Sequence, residues 1–217
     1  MSRLDHEANE WLCKIVLFGP PTAGAAALAE QVVAALPAAE VESFWANPTA
    51  AEPTLVARYR PAASSLVDVK PVYSLHALRA AGSTATDRQH LLGNVDGVLL
   101  LLDQANLEAS AFAERELERF LGMFGKMIAT LPTVMLASAP LDESQQTALN
   151  PSQQSLFDAG DSASVARAVT TLTGLLEEDS GFGGLGLDLD AFADDDDDGA
   201  SGDIDLDAFT DDDDEQL

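Results

Sequence analysis

The sequence is poor in cysteine and lysine and lacks long apolar runs, and each shortage excludes a class of protein. Cys13 is the single cysteine among 217 residues, so no internal disulfide can form, and we expect a reducing, cytoplasmic location. No run of about 18 or more apolar residues occurs, so no insertion into a membrane is expected.

Basic residues are also few, and they are unevenly spread. The chain has 11 Lys and Arg against 37 Asp and Glu, a net charge of −26. Residues 180–217 hold 14 Asp and 1 Glu without any Lys or Arg, while the remaining residues carry the other 22 acids and all 11 bases. Neither part offers a basic patch, so binding to nucleic acid or to an anionic membrane surface is not expected.

The apolar periodicity predicts strands that alternate with helices. A loop is predicted over residues 38–53, because prolines follow Asn47 and Glu52. The pattern predicts strands at 12–18, 54–60, 70–78, 95–103, 133–138 and, more weakly, 154–159, with helices at 24–36, within 82–93, at 105–130 and at 162–178. This order is typical of an α/β domain, here residues 1–179, whose mostly parallel sheet has helices on both faces and ligand sites at the carboxyl ends of its strands.

The loop after the first predicted strand has the outline of a phosphate-binding loop. It matches G-x-x-x-x-G-K-[ST] except at the last two positions, where a lysine would neutralise phosphate and a hydroxyl would bind Mg²⁺. The stretch consists of Gly19, Pro20, Pro21, Thr22, Ala23, Gly24, Ala25 and Ala26. Two interpretations stay open. The stretch is either a strand-to-helix turn without a ligand or a weak site where backbone amides still favour an anion.

Four segments carry a resemblance to a known family. They are "NEWLCKIVLFGPP" (9–21), "GSTATDRQHLLG" (82–93), "NVDGVLLLLDQANLEA" (94–109) and "LPTVMLASAPLDE" (131–143). Over about residues 8–178 the chain resembles the Ras-like small GTPases of bacterial gliding motility and cell polarity, the MglA type. The resemblance implies a P-loop NTPase-like fold, and it implies roadblock-type regulators and polarity or motility machinery as partners.

Each nucleotide motif of that family is altered here. Ala25 and Ala26 replace the lysine and hydroxyl residue of the phosphate loop. Ala81, Gly82 and Ser83 stand where the second switch has Pro-Gly-Gln, which leaves no glutamine to orient water. Ser138, Ala139, Pro140 and Leu141 stand where the family has Asn-Lys-x-Asp for guanine recognition. Three losses together predict a pseudo-GTPase, with a weak GTP/GDP-binding switch as the alternative.

The remaining reactive side chains do not suggest catalysis. His6, His76 and His90 are scattered, and with one cysteine no zinc spacing exists, so we expect neither metal nor cofactor. His76 is interpreted as a hydrogen-bonded structural residue, and Cys13 as a small buried apolar one. Asp103 either caps the segment that follows it or reaches a metal near the loop.

The last part of the chain contains a repeat. After a glycine-rich linker (180–186), the unit at residues 187–197 recurs at 204–214 with nine of eleven positions identical. Its composition predicts disorder. A solubility tail would explain the aspartates but not the apolar residues kept in register with them: Leu187, Leu189, Phe192, Ile204, Leu206 and Phe209. We interpret these as two docking motifs for a partner with a basic-rimmed groove.

Overall fold

A computed structural model describes residues 3–20, 25–36, 38–46, 53–66, 68–78, 84–139, 142–149 and 154–181. The chain divides into two units, Met1–Gly184 and Leu185–Leu217, and all described residues belong to the first.

The described part contains eight strands and five helices. The strands are β1 (Arg3–Asp5), β2 (Glu10–Phe18), β3 (Ala38–Ala46), β4 (Thr54–Pro61), β5 (Lys70–Leu78), β6 (Gly97–Leu102), β7 (Thr133–Ala137) and β8 (Leu156–Asp158). The helices are α1 (Ala25–Ala34), α2 (Ala85–Leu91), α3 (Leu107–Met123), α4 (Glu143–Leu149) and α5 (Ser162–Asp179). Short 3-10 helices span Gln104–Asn106 and Ile128–Thr130.

The strands form one mixed sheet in the order β3-β4-β5-β2-β6-β7-β8, with β1 paired to β2. β2 is parallel to both β5 and β6, and β7 and β8 continue the parallel half. The pairs β1–β2, β3–β4 and β4–β5 are antiparallel. The predicted α/β class with a mostly parallel sheet is therefore confirmed.

Helices cover both faces of the sheet, as the alternation along β2 shows. Ile15 and Leu17 belong to the core cluster that includes residues of α1 and α5. Val16 and Phe18 belong to the opposite cluster, which includes residues of α2 and α3. A strand segment buried on both faces has apolar residues at every position, which explains the continuous apolar run of residues 15–18 in β2.

A carboxylate on α5 anchors the connection between β4 and β5. Glu177 is buried, and it accepts hydrogen bonds from Ser64 Oγ (2.9 Å), from the amide and Oγ of Ser65 (2.8 and 2.6 Å) and from Tyr73 Oη (3.0 Å). Burial alone would raise the pKa of Glu177, but these donors outweigh it and lower the pKa. The ionised carboxylate therefore ties α5 to the sheet.

Two of the element predictions were wrong. The predicted loop at 38–53 contains the nine-residue strand β3, which escapes detection because it lies at the edge of the sheet and residues 40–44 are exposed on both faces. The predicted helix 105–130 ends at Met123, and Gly125 follows with a φ of 70°, a conformation that helices do not continue through.

The two ends of the sheet differ in length. β8 ends one side with three residues, whereas β3 ends the other with nine. Short edge strands protect a sheet against pairing with other chains, and long ones do not. The β3 edge is thus the more accessible of the two.

Candidate functional site

The candidate loops follow parallel strands that lie side by side. β2 ends at Phe18, β6 at Leu102 and β7 at Ala137, and in the sheet these three strands are neighbours. The chain leaves β2 toward β3, β4 and β5 on one side, and after β5 it crosses to β6 on the other. Strand order therefore reverses at β2, which is where open α/β sheets bind ligands.

The first glycine of the candidate phosphate loop is required by packing. A Cβ built on Gly19 would lie 2.7 Å from Cβ of Leu101 on β6, a separation that real Cβ atoms do not show. Pro20, next to it, is buried. Close contact with β6 thus accounts for Gly19 without any ligand.

The rest of the candidate phosphate loop lies mostly outside the described residues. Pro21, Thr22, Ala23 and Gly24 are among the undescribed ones. α1 begins at Ala25, so Ala25 and Ala26 occupy the first positions of the helix. A methyl side chain at each position provides neither an ammonium group for phosphate nor a hydroxyl for a metal ion.

The loops after β6 and β7 bind to each other. The Asp103 carboxylate accepts a hydrogen bond from the Ala105 amide (3.0 Å), which confirms the capping interpretation. Ser138 Oγ accepts from the Gln104 amide (3.0 Å), and the Ser138 amide donates to the carbonyl of Leu102 (2.8 Å). Ala139 is partly buried, and Pro140 and Leu141 lie outside the described residues.

A buried ion pair connects α2 and α3 beneath the carboxyl end of β2. Arg88 Nε lies 2.6 Å from Glu116 Oε2, and both side chains are more than nine-tenths buried. The Arg88 guanidinium carbon also lies 4.3 Å from the centroid of the Phe18 ring. Sequence reasoning missed this pair, because isolated charged residues on helices usually point to solvent. The predicted second switch (Ala81, Gly82, Ser83), which precedes α2, lies outside the described residues.

The other reactive side chains have structural roles. His76 Nε2 and Ser74 Oγ lie 2.8 Å apart, as expected for a hydrogen-bonded histidine. Burial, with Lys14 and Arg58 nearby, lowers the pKa of His76 to about 4, so the ring is neutral at pH 7. Cys13 is buried as expected, and burial raises the pKa of its thiol far above the usual range, which keeps it protonated and unreactive.

Burial also acts on the lysine beside Cys13. Removal from water lowers the pKa of Lys14, and Asp96 partly opposes this effect. Lys14 Nζ donates to the carbonyl of Gly93 (2.7 Å), and the Lys14 amide donates to Asp96 Oδ2 (3.0 Å). Lys14 thus fixes the turn before β6.

Two absences apply to the described residues only. In that part of the chain, no three His, Cys, Asp or Glu side chains are grouped as a metal site would require. Nor is any helix there long and apolar enough to cross a bilayer.

Large apolar side chains are exposed at two main places. Four of them lie on α3 and the turn that follows: Phe112, Met123, Phe124 and Met127. Val41 and Phe44, on β3, are 42% and 50% exposed. Contiguous apolar patches mark protein-binding surfaces, whereas single exposed apolar side chains are common.

The tail motifs at Leu187, Leu189, Phe192, Ile204, Leu206 and Phe209 lie outside the described residues. No model of a known protein family matches the chain, and no curated protein matches it.

Proposed function

We propose that this chain is a non-catalytic adaptor, formed by a degenerate Ras-like domain of the MglA type and an acidic tail with two docking motifs. One observation carries the proposal. At the reversal point of the sheet, α1 begins with Ala25 and Ala26, where a phosphate loop needs a lysine and a hydroxyl. Loss of the charged hydrogen bond from the lysine weakens nucleotide binding by roughly 1.5–3 kcal/mol, and loss of the hydroxyl removes a Mg²⁺ ligand.

The neighbouring loops support the same proposal. Ser138 stands where the resemblance places guanine recognition, and its hydroxyl accepts a hydrogen bond from the chain's own Gln104 amide. Asp103 likewise caps its own chain. These groups hold the loops together, so a base or metal would have to compete with contacts already made.

The binding role is supported by the exposed apolar side chains of α3 and by the repeated motif of the tail. Methionine and phenylalanine on a surface suit contacts with partner proteins, because methionine adapts its shape and phenylalanine buries a large area. In the tail, Leu189 and Phe192 recur as Leu206 and Phe209, and a run of five aspartates (194–198) follows the first pair and a run of four (211–214) the second. Roadblock-type regulators are the partners that the family resemblance suggests for the domain, and a protein with a basic-rimmed groove suits the tail.

The nucleotide-binding alternative is tested directly on the purified full chain. The protein is denatured and the supernatant analysed for GDP and GTP, and the native protein is titrated with fluorescently labelled nucleotide and Mg²⁺. A known small GTPase serves as the positive control. We expect no released nucleotide and no saturable binding at micromolar concentrations, because backbone amides alone cannot replace the lysine and the Mg²⁺-binding hydroxyl. Stoichiometric nucleotide would refute the pseudo-GTPase.

The docking motifs are tested by removing their aromatic anchors. The double variant Phe192→Ala/Phe209→Ala should lose the partner proteins that the immobilised parent chain captures, because an apolar side chain entering a groove provides most of the binding energy. Phe182→Ala, which removes a phenylalanine from the linker outside both motifs, is the matched control and should keep them. Capture that survives the double variant would leave only the solubility role for the tail.

A further inference from the structure

The outer edge of β3 is built to accept another strand. Among the residues that the structure describes, β3 is hydrogen-bonded to β4 alone, and residues 40–46 pair with β4 in an unbroken antiparallel register. The one irregularity lies at the beginning, between Ala38 and Glu40. Proline and lysine, which commonly protect edge strands, do not occur within β3. A regular row of backbone groups therefore faces outward.

This edge carries both acidic and apolar side chains. Glu40 and Glu42 lie on the same side of the strand as Phe44, while Val41 lies on the other. The Glu40 side chain is 82% exposed, and its Oε2 lies 3.8 Å from Nη1 of Arg60. The same arginine makes a closer ion pair with Glu10, at 2.5 Å between Nη2 and Oε1. Glu42 is exposed, and it makes no ion pair with any described residue. In the β3–β4 register Glu40 lies across from Arg60 and Glu42 lies across from Arg58, so each carboxylate has an arginine on its inner side and can take a further cation only from the outer side.

The negative charge of the β3 edge favours a basic strand over an acidic one as its partner. A second copy of this chain would carry the same net charge of −26, and it would bring the same glutamates to the edge. Like charges on paired strands are unfavourable, whereas opposite charges directly across a pair stabilise it. A segment with Lys or Arg at alternate positions would also be attracted toward the acidic protein before contact.

We propose that β3 binds an extended basic segment of a partner protein, which extends the sheet by one strand. Its main chain pairs with residues 40–46, two basic side chains lie across from Glu40 and Glu42, and an apolar side chain packs on Phe44. In this mode the main-chain ladder provides affinity and the alternate side chains provide specificity. The inference rests on the proposed binding role and names the chemistry of one partner. Its test is independent of the nucleotide assay, so either can fail alone.

The probe is a fluorescently labelled peptide, Thr-Val-Val-Thr-Lys-Val-Lys, written to pair antiparallel with residues 40–46 of the full chain. Binding is measured by fluorescence polarisation at low and moderate ionic strength. Two control peptides replace both lysines by glutamate or the central threonine by proline. We expect the lysine peptide to bind roughly tenfold or more tightly than either control, because the first loses two charge pairs and the second a main-chain donor. Equal binding of all three would overturn the proposal.

Reversing the charges of Glu40 and Glu42 distinguishes binding at the β3 edge from attraction to the overall negative charge of the chain. Glu40→Lys/Glu42→Lys should lose the lysine peptide and bind the glutamate peptide instead. Glu118→Lys/Glu178→Lys changes the net charge equally at exposed helix positions and should bind as the parent does. If this control loses the lysine peptide as well, bulk attraction explains the binding and the inference fails.

Sedimentation of the chain alone tests whether a second copy of the chain occupies the β3 edge. We expect the parent chain and Phe44→Lys to sediment as the same species. A parent dimer that Phe44→Lys dissociates would assign the β3 edge to a second copy and overturn the proposal.

Discussion

At the scale of single residues, a glycine in a loop can serve either ligand binding or packing. Gly19 matches the first glycine of a phosphate loop, yet its contact with Leu101 requires the absence of a Cβ regardless of any ligand. A sequence pattern indicates that a position requires glycine, but not whether a ligand or a neighbouring side chain excludes a Cβ there. The buried Arg88–Glu116 ion pair also could not be predicted, because nothing in the local sequence pattern marks either residue as buried.

The packing role of Gly19 predicts a loss of stability on substitution. Gly19→Ala should lower the free energy of unfolding by about 1–3 kcal/mol, because the new methyl group overpacks the contact between β2 and β6. Urea unfolding of the purified variant measures this change.

Two further variants make that measurement specific. Gly174→Ala in α5 meets nothing within 4 Å and should be neutral or stabilising by about 0.5–1 kcal/mol, since alanine suits a helix interior better than glycine. Leu101→Gly, which removes the Cβ that the new methyl group would meet, should reduce the cost of Gly19→Ala when the two are combined. Equal stability of Gly19→Ala and the parent chain would contradict the packing role.

At the scale of elements, the spacing of apolar residues predicted most of the buried strands and helices, and it failed where an element was only partly buried. β2, β6 and β7 lie inside the sheet, and their continuous apolar runs identify them. β3 pairs on one side only and has exposed residues on both faces, so its sequence lacks a two-residue period. The end of α3 was missed because residues 124–130 keep helical spacing although Gly125 turns the chain.

The anchor between α5 and the β4–β5 connection predicts a pH-dependent effect. Glu177→Gln should lower the free energy of unfolding at pH 7 by roughly 1–3 kcal/mol, because an amide accepts the four hydrogen bonds less well than a carboxylate does. The folded-state pKa of Glu177 is lowered, so its contribution is present above the unfolded pKa of about 4.3 and is lost as the pH falls through the folded value.

Urea unfolding at several pH values between 7 and 3 checks this. The difference between parent and Glu177→Gln should shrink on acidification. Glu178→Gln removes the same charge from an exposed neighbour on α5 and should change stability little at any of these pH values. A difference that persists unchanged at pH 3 would show that the ionised carboxylate is not what stabilises the anchor.

At the scale of the whole molecule, the order of elements fixed the α/β class, because strands alternating with helices leave few other arrangements. The strand order and the antiparallel part of the sheet could not be read in the same way. They depend on which strands meet across long stretches of chain, such as β2 with β5 some sixty residues later, and no local pattern encodes that choice. Gly19 directly follows β2 and Ser138 directly follows β7, whereas no sequence pattern predicted the hydrogen bond between Ser138 and the Gln104 amide.

The unequal ends of the sheet also set a stoichiometry. A strand added at β3 meets a nine-residue neighbour, whereas the three residues of β8 offer too little backbone for the same ladder. Of the two ends of the described sheet, only the β3 end has the length for the proposed ladder, so we expect one bound strand per chain.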